Sequence, residues 1–187
     1  MYGWIVFSLW AAWSLYWLIS AGDTKATVRR ESAASRASHL IPLVIGVLLI
    51  VVPQWFGNWL AGPPLPRSLT TYWAGVTAIV LGLLFTVWAR VHLGRNWSGT
   101  VTLKDSHQLI RSGPYAWVRH PIYTGLLLAM LGSAVARNDW RSMVGFALVV
   151  ASLVRKLRIE ERFMREKFGE QYASYARDVR ALVPWIW

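Results

Sequence analysis

From Tyr2 to Ser20 the chain carries no charged residue. A helix of roughly 20 such residues spans the hydrocarbon core of a bilayer. Two further apolar runs follow, Leu40 to Leu60 and Thr70 to about Val91. In lipid every backbone N–H and C=O needs a partner within the protein, so each run must be helical. Ile122–Ala136 and Ser142–Val154 are apolar but shorter. They cross with tilt and local thinning or dip in as a re-entrant hairpin, and either way their ends return to one side. The fold class that follows is all-α, a polytopic membrane protein with about five transmembrane helices. Composition agrees, with 55% hydrophobic residues and thirteen Trp, whose indoles favour the membrane interface. The first run lacks the basic leader of a secretory signal and is expected to stay as a helix. Pro53 is expected to kink the second span, Pro42 to be tolerated in it, and Ala61–Arg67 to make a stiff turn. No strand-period pattern or repeat is visible.

The charges give an orientation. Of the twenty Lys and Arg, seventeen fall in 21–39, in Arg90–Arg119 and in the tail from Arg155, and only Arg67, Arg137 and Arg141 fall in the alternate connections. The positive-inside rule therefore places the N-terminus outside and the long loop and tail in the cytoplasm. The segment 21–39 reads as a loop with a short surface helix at its end, and His39 and His92 read as interfacial. A net charge of +11 would suit nucleic acid, but the basic residues are spread between apolar runs and no nucleic-acid module is present. Without Cys there is no disulfide, thiolate metal site or catalytic thiol. Metal is not expected either, since His107 and His120 lack common ligand spacing.

Arg111-Ser-Gly-Pro-Tyr115-Ala-Trp-Val-Arg119-His120-Pro121-Ile-Tyr123-Thr-Gly125 joins a basic loop to an apolar run. Gly113-Pro114 marks a turn, and Pro121 suits the first helical position, where its missing N–H has no partner to lose. His120 then stands at a helix mouth, where an anion could dock beside Arg119, His120 and Tyr123. The plainer alternative is a loop entering a membrane helix, with Arg119 snorkelling and Tyr123 in an aromatic belt.

The tail, Arg155 to Arg180, is helical in composition, with Leu157, Met164, Phe168, Tyr172 and Tyr175 expected along one face of an amphipathic helix. Glu161 falls inside that stripe. Burying a carboxylate there costs several kcal/mol unless it is paired, so it needs a cation or a ligand. Glu160 lies four residues after Lys156, the spacing of a helical ion pair.

Leu93-Gly-Arg-Asn-Trp97-Ser98, His107-Gln-Leu-Ile110, Gly113-Pro-Tyr115, Arg119-His-Pro-Ile-Tyr123, Glu160-Glu161 and Phe168-Gly-Glu-Gln-Tyr172 stand in the order and spacing of a known family. Over residues 93–175 the chain resembles the isoprenylcysteine carboxyl methyltransferases, membrane enzymes that use S-adenosylmethionine; residues 1–92 resemble them only as generic membrane helices. The resemblance implies a single domain of three helices (1–92) followed by a cofactor-binding loop, helical hairpin and tail helix (93–187). It implies cofactor contacts from His107, Gln108, Leu109, Ile110, Tyr115, His120, Pro121, Ile122, Tyr123, Glu160 and Glu161. Catalytic work falls to Lys156, Glu160 and Arg119. The chain departs from the family at Lys156, where an arginine is usual, and lysine lacks the flat two-pronged donor. Arg155 and Arg158 lie about 100 degrees or more round the helix.

The expected chemistry is methyl transfer to the carboxylate of an amphiphilic or prenylcysteine-like substrate that enters from the bilayer, among membrane lipids. Methylation of a phospholipid or other amine is the alternative that keeps the cofactor, and it would need a base. A transporter or scaffold with purely topological charges is the non-enzymatic alternative. The absence of a GxGxxG loop argues against a soluble Rossmann methyltransferase.

Overall fold

A computed structural model describes residues 3–21, 27–94, 97, 102–104 and 109–184, with residues 27–30 and 102–104 described by backbone alone. The elements run α1 (Gly3–Ser20), β1 (Thr27–Arg30), α2 (Ala33–Val51), a 3-10 turn (Pro53–Phe56) and α3 (Leu69–Leu93). After these come β2 (Thr102–Lys104), a second 3-10 turn (Gly113–Ala116), α4 (Pro121–Arg137), α5 (Trp140–Phe168) and α6 (Glu170–Asp178). Among the described residues three helices, α1, α2 and α3, are long and apolar enough to cross a membrane, and α4 is a shorter apolar helix.

Local chemistry sets the helix boundaries. Ser32, Ser68 and Asp139 stand as N-caps of α2, α3 and α5, each accepting a bond from the backbone N–H three residues on. Pro121 opens α4, and Asn138 in the left-handed conformation closes it. Pro53 does not kink α2. The helix stops at Val51 and Pro53 starts a 3-10 turn, because its ring and missing N–H cannot extend a helix already at its end. At the other end α2 begins at Ala33, so the expected short surface helix and the second span are one element.

Two close-packed seams make the bundle. A Cβ on Gly82 would sit 2.5 Å from the Gly125 carbonyl oxygen, and one on Gly46 2.6 Å from that of Gly145. Glycine thus lets α3 approach α4, and α2 approach α5, backbone to backbone, which is how membrane helices gain contact without a hydrophobic drive between them. By contrast, α1 has no buried residue and is pinned by two indoles: Trp10 Nε1 donates to Ser133 Oγ at 3.0 Å and Trp13 Nε1 to Thr86 Oγ1 at 2.6 Å.

The connections sort to two ends. At one, Asn138 exchanges hydrogen bonds with the backbone of Leu65 (3.0 and 3.1 Å), and Arg141 donates to Pro53 O at 3.2 Å. At the other, Ser152 Oγ donates to His39 O, and Arg155 reaches Ser38 Oγ. Two departures from expectation lie at this second end. β1 and β2 pair antiparallel, too short a ribbon for period-2 patterning to reveal. His39, read from the sequence as interfacial, is buried within the protein, and the Glu31 carboxylate, its side chain 3% exposed, faces its Nε2 at 3.0 Å.

Candidate active site

The tail reaches the site by an unbroken path. Where the apolar run ends at Val154, α5 continues to Phe168 and buries Leu157, Ile159 and Phe163. Gly169, at φ 50°, ends the helix, so Tyr172 and Tyr175 lie buried on the separate helix α6 rather than on the continuous stripe expected. Beyond α6 the backbone turns back along residues 118–120. Arg119 N donates to Arg180 O at 2.8 Å, His120 N to Ala181 O at 3.0 Å, and Thr124 Oγ1 to Leu182 O at 2.7 Å. Ala181 and Leu182 enter the core beside Tyr123, Leu153 and Leu157. The mouth of α4 and the last turns of α5 are thereby clamped together.

That clamp sorts two adjacent carboxylates into different duties. Arg119 Nε donates to Glu161 Oε1 at 2.8 Å, and its NH1 donates to Ala176 O (3.2 Å) and Val179 O. His120 Nε2 stands 3.4 Å from the same carboxylate oxygen. Burial alone would raise the Glu161 pKa, but the bonds and charges of His120 and Arg119 outweigh it and hold the carboxyl at about 2. Arg119, expected among the catalytic groups, directs its fork to Glu161 and to tail carbonyls. Glu161, expected at the cofactor, is its partner.

One step round the helix, Glu160 is more open, at 23% of its side-chain surface. Tyr123 OH donates to its Oε1 at 2.6 Å, Lys156 Nζ stands 4.0 Å from the same atom, and His120 Nδ1 faces Oε2 at 3.7 Å. The His120 ring lies parallel to Tyr123 at 5.5 Å, and the Lys156 ammonium sits 5.4 Å over the Tyr123 ring. One carboxylate, one ammonium, one imidazole and one phenol thus meet in a half-buried cluster.

Tyr115 lies close enough to feel the charge of Glu160. It is buried, and its carbonyl accepts the Tyr175 hydroxyl at 2.6 Å. Burial pushes the Tyr115, Tyr172 and Tyr175 hydroxyls well above their ordinary values, so all three stay neutral near pH 7. Leu109 and Ile110 are half-buried ahead of this turn. Pro121 is buried at the start of α4, and Ile122 packs on the Tyr123 core. His107 and Gln108 lie outside the described residues. Among the described residues no three His, Asp or Glu side chains gather as metal ligands. The returning segment 179–182 had no local sequence signal, since its partners lie about sixty residues back along the chain.

Comparison with known proteins points chiefly to one group. The profile of the isoprenylcysteine carboxyl methyltransferase family matches residues 74–166. Protein-S-isoprenylcysteine O-methyltransferase B of Arabidopsis thaliana is 29% identical over 142 residues, 74% of this chain and 72% of that protein. A probable protein-S-isoprenylcysteine O-methyltransferase of Oryza sativa subsp. indica is 33% identical over 126 residues, 64% of this chain and 66% of that protein. Among solved structures, a eukaryotic intramembrane Ras methyltransferase, an isoprenylcysteine carboxyl methyltransferase, superposes with a TM-score of 0.58 at 25% identity. That match covers 80% of this chain and 53% of the larger protein.

Proposed function

We propose that this chain, which belongs to the isoprenylcysteine carboxyl methyltransferase family, transfers a methyl group from S-adenosylmethionine to the carboxylate of an amphiphilic, prenylcysteine-like substrate. The observation that carries this reading is the sorting of the two glutamates: Glu161 is held by Arg119, while Glu160 stays open among Tyr123, His120 and Lys156. The donor set fits the cofactor, whose zwitterionic amino-acid end and sulfonium need an acid, a base and aromatic faces. Glu160 is the acid, His120 is the nitrogen donor, and the paired rings of His120 and Tyr123 are the faces. Leu109, Ile110 and Tyr115 would enclose it from the loop side.

The cofactor, when bound, supplies a methyl group already made electrophilic by its sulfonium. What remains for the protein is to orient and to exclude water. A substrate carboxylate, with a reference pKa near 4, is ionised at neutral pH and needs no base. Lys156 is the cation placed to hold it, as a point charge on a flexible stem. The strand 179–182 and α6 cover the site from the aqueous side. A lipid-bearing substrate enters sideways between the helices, and the N-terminus lies outside with the site on the cytoplasmic face.

Detergent-purified protein, labelled methyl donor and a prenylcysteine analogue provide the test. The expected product releases methanol in mild alkali, at a rate nearly flat between about pH 6 and 8. K156R preserves or raises activity, and K156A raises the substrate KM. A base-stable label with a rate climbing about tenfold per pH unit means N-methylation and refutes the carboxylate reading.

A further inference from the structure

The last turn of α3 carries two side chains that the Glu160 cluster just described does not use, Arg90 and His92. Arg90 is 4% exposed, inside the last turn of α3. Helix ends leave carbonyls without intrahelical partners at the negative pole of the dipole, a natural seat for a cation. Arg90 takes two such seats. Its NH1 donates to Gly94 O, at the cap of its own helix, at 2.8 Å, and its NH2 donates to Ser20 O, the last residue of α1. The flat face of the guanidinium lies 4.7 Å over the Trp97 indole, which meets Trp17 of α1 edge-on at 5.5 Å. One side chain therefore joins the end of α1, the end of α3 and the near root of the segment 94–112.

The far root of that segment returns to the same turn of α3. His92 Nε2 stands 2.9 Å from Ser112 Oγ, and its ring lies against Gly113, where an added Cβ would come within 2.7 Å. Gly113, at φ 58°, turns the chain into Pro114 and Tyr115, and the Tyr115 ring lies nearly parallel to His92 at 6.4 Å. Two residues two positions apart in the sequence, Arg90 and His92, thus fix both roots of a segment of nearly twenty residues.

We propose that Arg90 and His92 are positioning residues for cofactor binding: by tying both roots of segment 94–112 to the last turn of α3, they hold Tyr115 and the residues before it against the Glu160 cluster. This rests on the reading of that cluster as the S-adenosylmethionine site. A lysine at 90 keeps the charge and reaches one carbonyl, but offers no second prong and no plane to Trp97. A phenylalanine at 97 keeps a face for the arginine. The two substitutions separate clamping from charge.

The full chain in detergent is assayed for ligand-free melting temperature, for hydrogen exchange of residues 109–116, and for S-adenosylhomocysteine affinity by calorimetry. In R90K and H92A, exchange in 109–116 is expected to quicken and the dissociation constant to rise about tenfold, the scale of one lost hydrogen bond, with the melting temperature held. W97A should follow R90K, and W97F should restore most of the affinity. Unchanged exchange and affinity in R90K overturn the proposal. A lowered melting temperature with unchanged affinity also overturns it, leaving a merely structural contact. If the wild-type chain binds no S-adenosylhomocysteine, the cofactor reading falls, and exchange at 109–116 still decides whether Arg90 fixes the segment.

Discussion

Replacing Glu161 by Gln isolates the work of one carboxylate. In the native chain its side chain is 14% exposed and held by Arg119 and His120, which bring its pKa from 4.5 to about 2. It lies past the apolar part of α5, on the tail side. A shift of that size is worth about 3 kcal/mol at neutral pH, at about 1.4 kcal/mol per unit. Because the folded pKa is the lower one, the contribution is complete above about pH 4.5 and drains away as the pH falls toward 2. Glutamine keeps the size and loses the charge. At pH 7, E161Q should therefore melt roughly 6–12 °C below the native chain, taking about 2–4 °C per kcal/mol for a chain of this length. By about pH 3 the gap should have narrowed by more than half. The thirteen tryptophans make intrinsic fluorescence a ready probe of unfolding in detergent. A gap of equal size at both pH values would refute the ion-pair account, and no gap at pH 7 would show that Arg119 is satisfied by the tail carbonyls alone.

Two further outcomes follow from the fold. Gly82→Ala places a Cβ 2.5–2.6 Å from backbone atoms of Gly125 and Ala129, which no rotamer change relieves, so stability should fall by about 1–3 kcal/mol, whereas Gly3→Ala, with nothing within 4 Å, should be neutral; equal melting temperatures would deny the seam. Cysteines placed at Ser35 and Ser174 should react with impermeant reagents from one face of the membrane and a cysteine at Asn138 from the other, and labelling of 35 and 174 from opposite faces would break the proposed site apart.

The sequence disclosed what depends on near neighbours. Pro121 announced the start of α4 and the apolar lengths announced the helices, because a ring without an N–H and an uncharged run act locally. Pro53 was harder to read, since a proline within a span and a proline just past its end look alike until the capping geometry is known. Glu160 and Glu161 form the sharper case. Adjacent helical residues differ by about 100 degrees in direction, so one faces the cluster and the other Arg119, but which does which depends on where that arginine stands. That position is set by bonds to Ala176 and Val179, about sixty residues further on. The glycine seams were hidden for the same reason, each half being ordinary without the other.

The return of residues 180–182 along 118–120 also sets an order of assembly. The side chains of Arg119, His120 and Tyr123 leave the ribosome about sixty residues before the backbone that fixes them, a lag of roughly 3–12 s at 5–20 residues per second. During that interval α1 to α4 can enter the bilayer and zip along their glycines, while the chemistry-bearing mouth of α4 has no strand to hold it. Insertion and completion of the Arg119–Tyr123 mouth are thus separate events in the life of this chain, and a nascent copy in the membrane waits for its tail before that mouth is held.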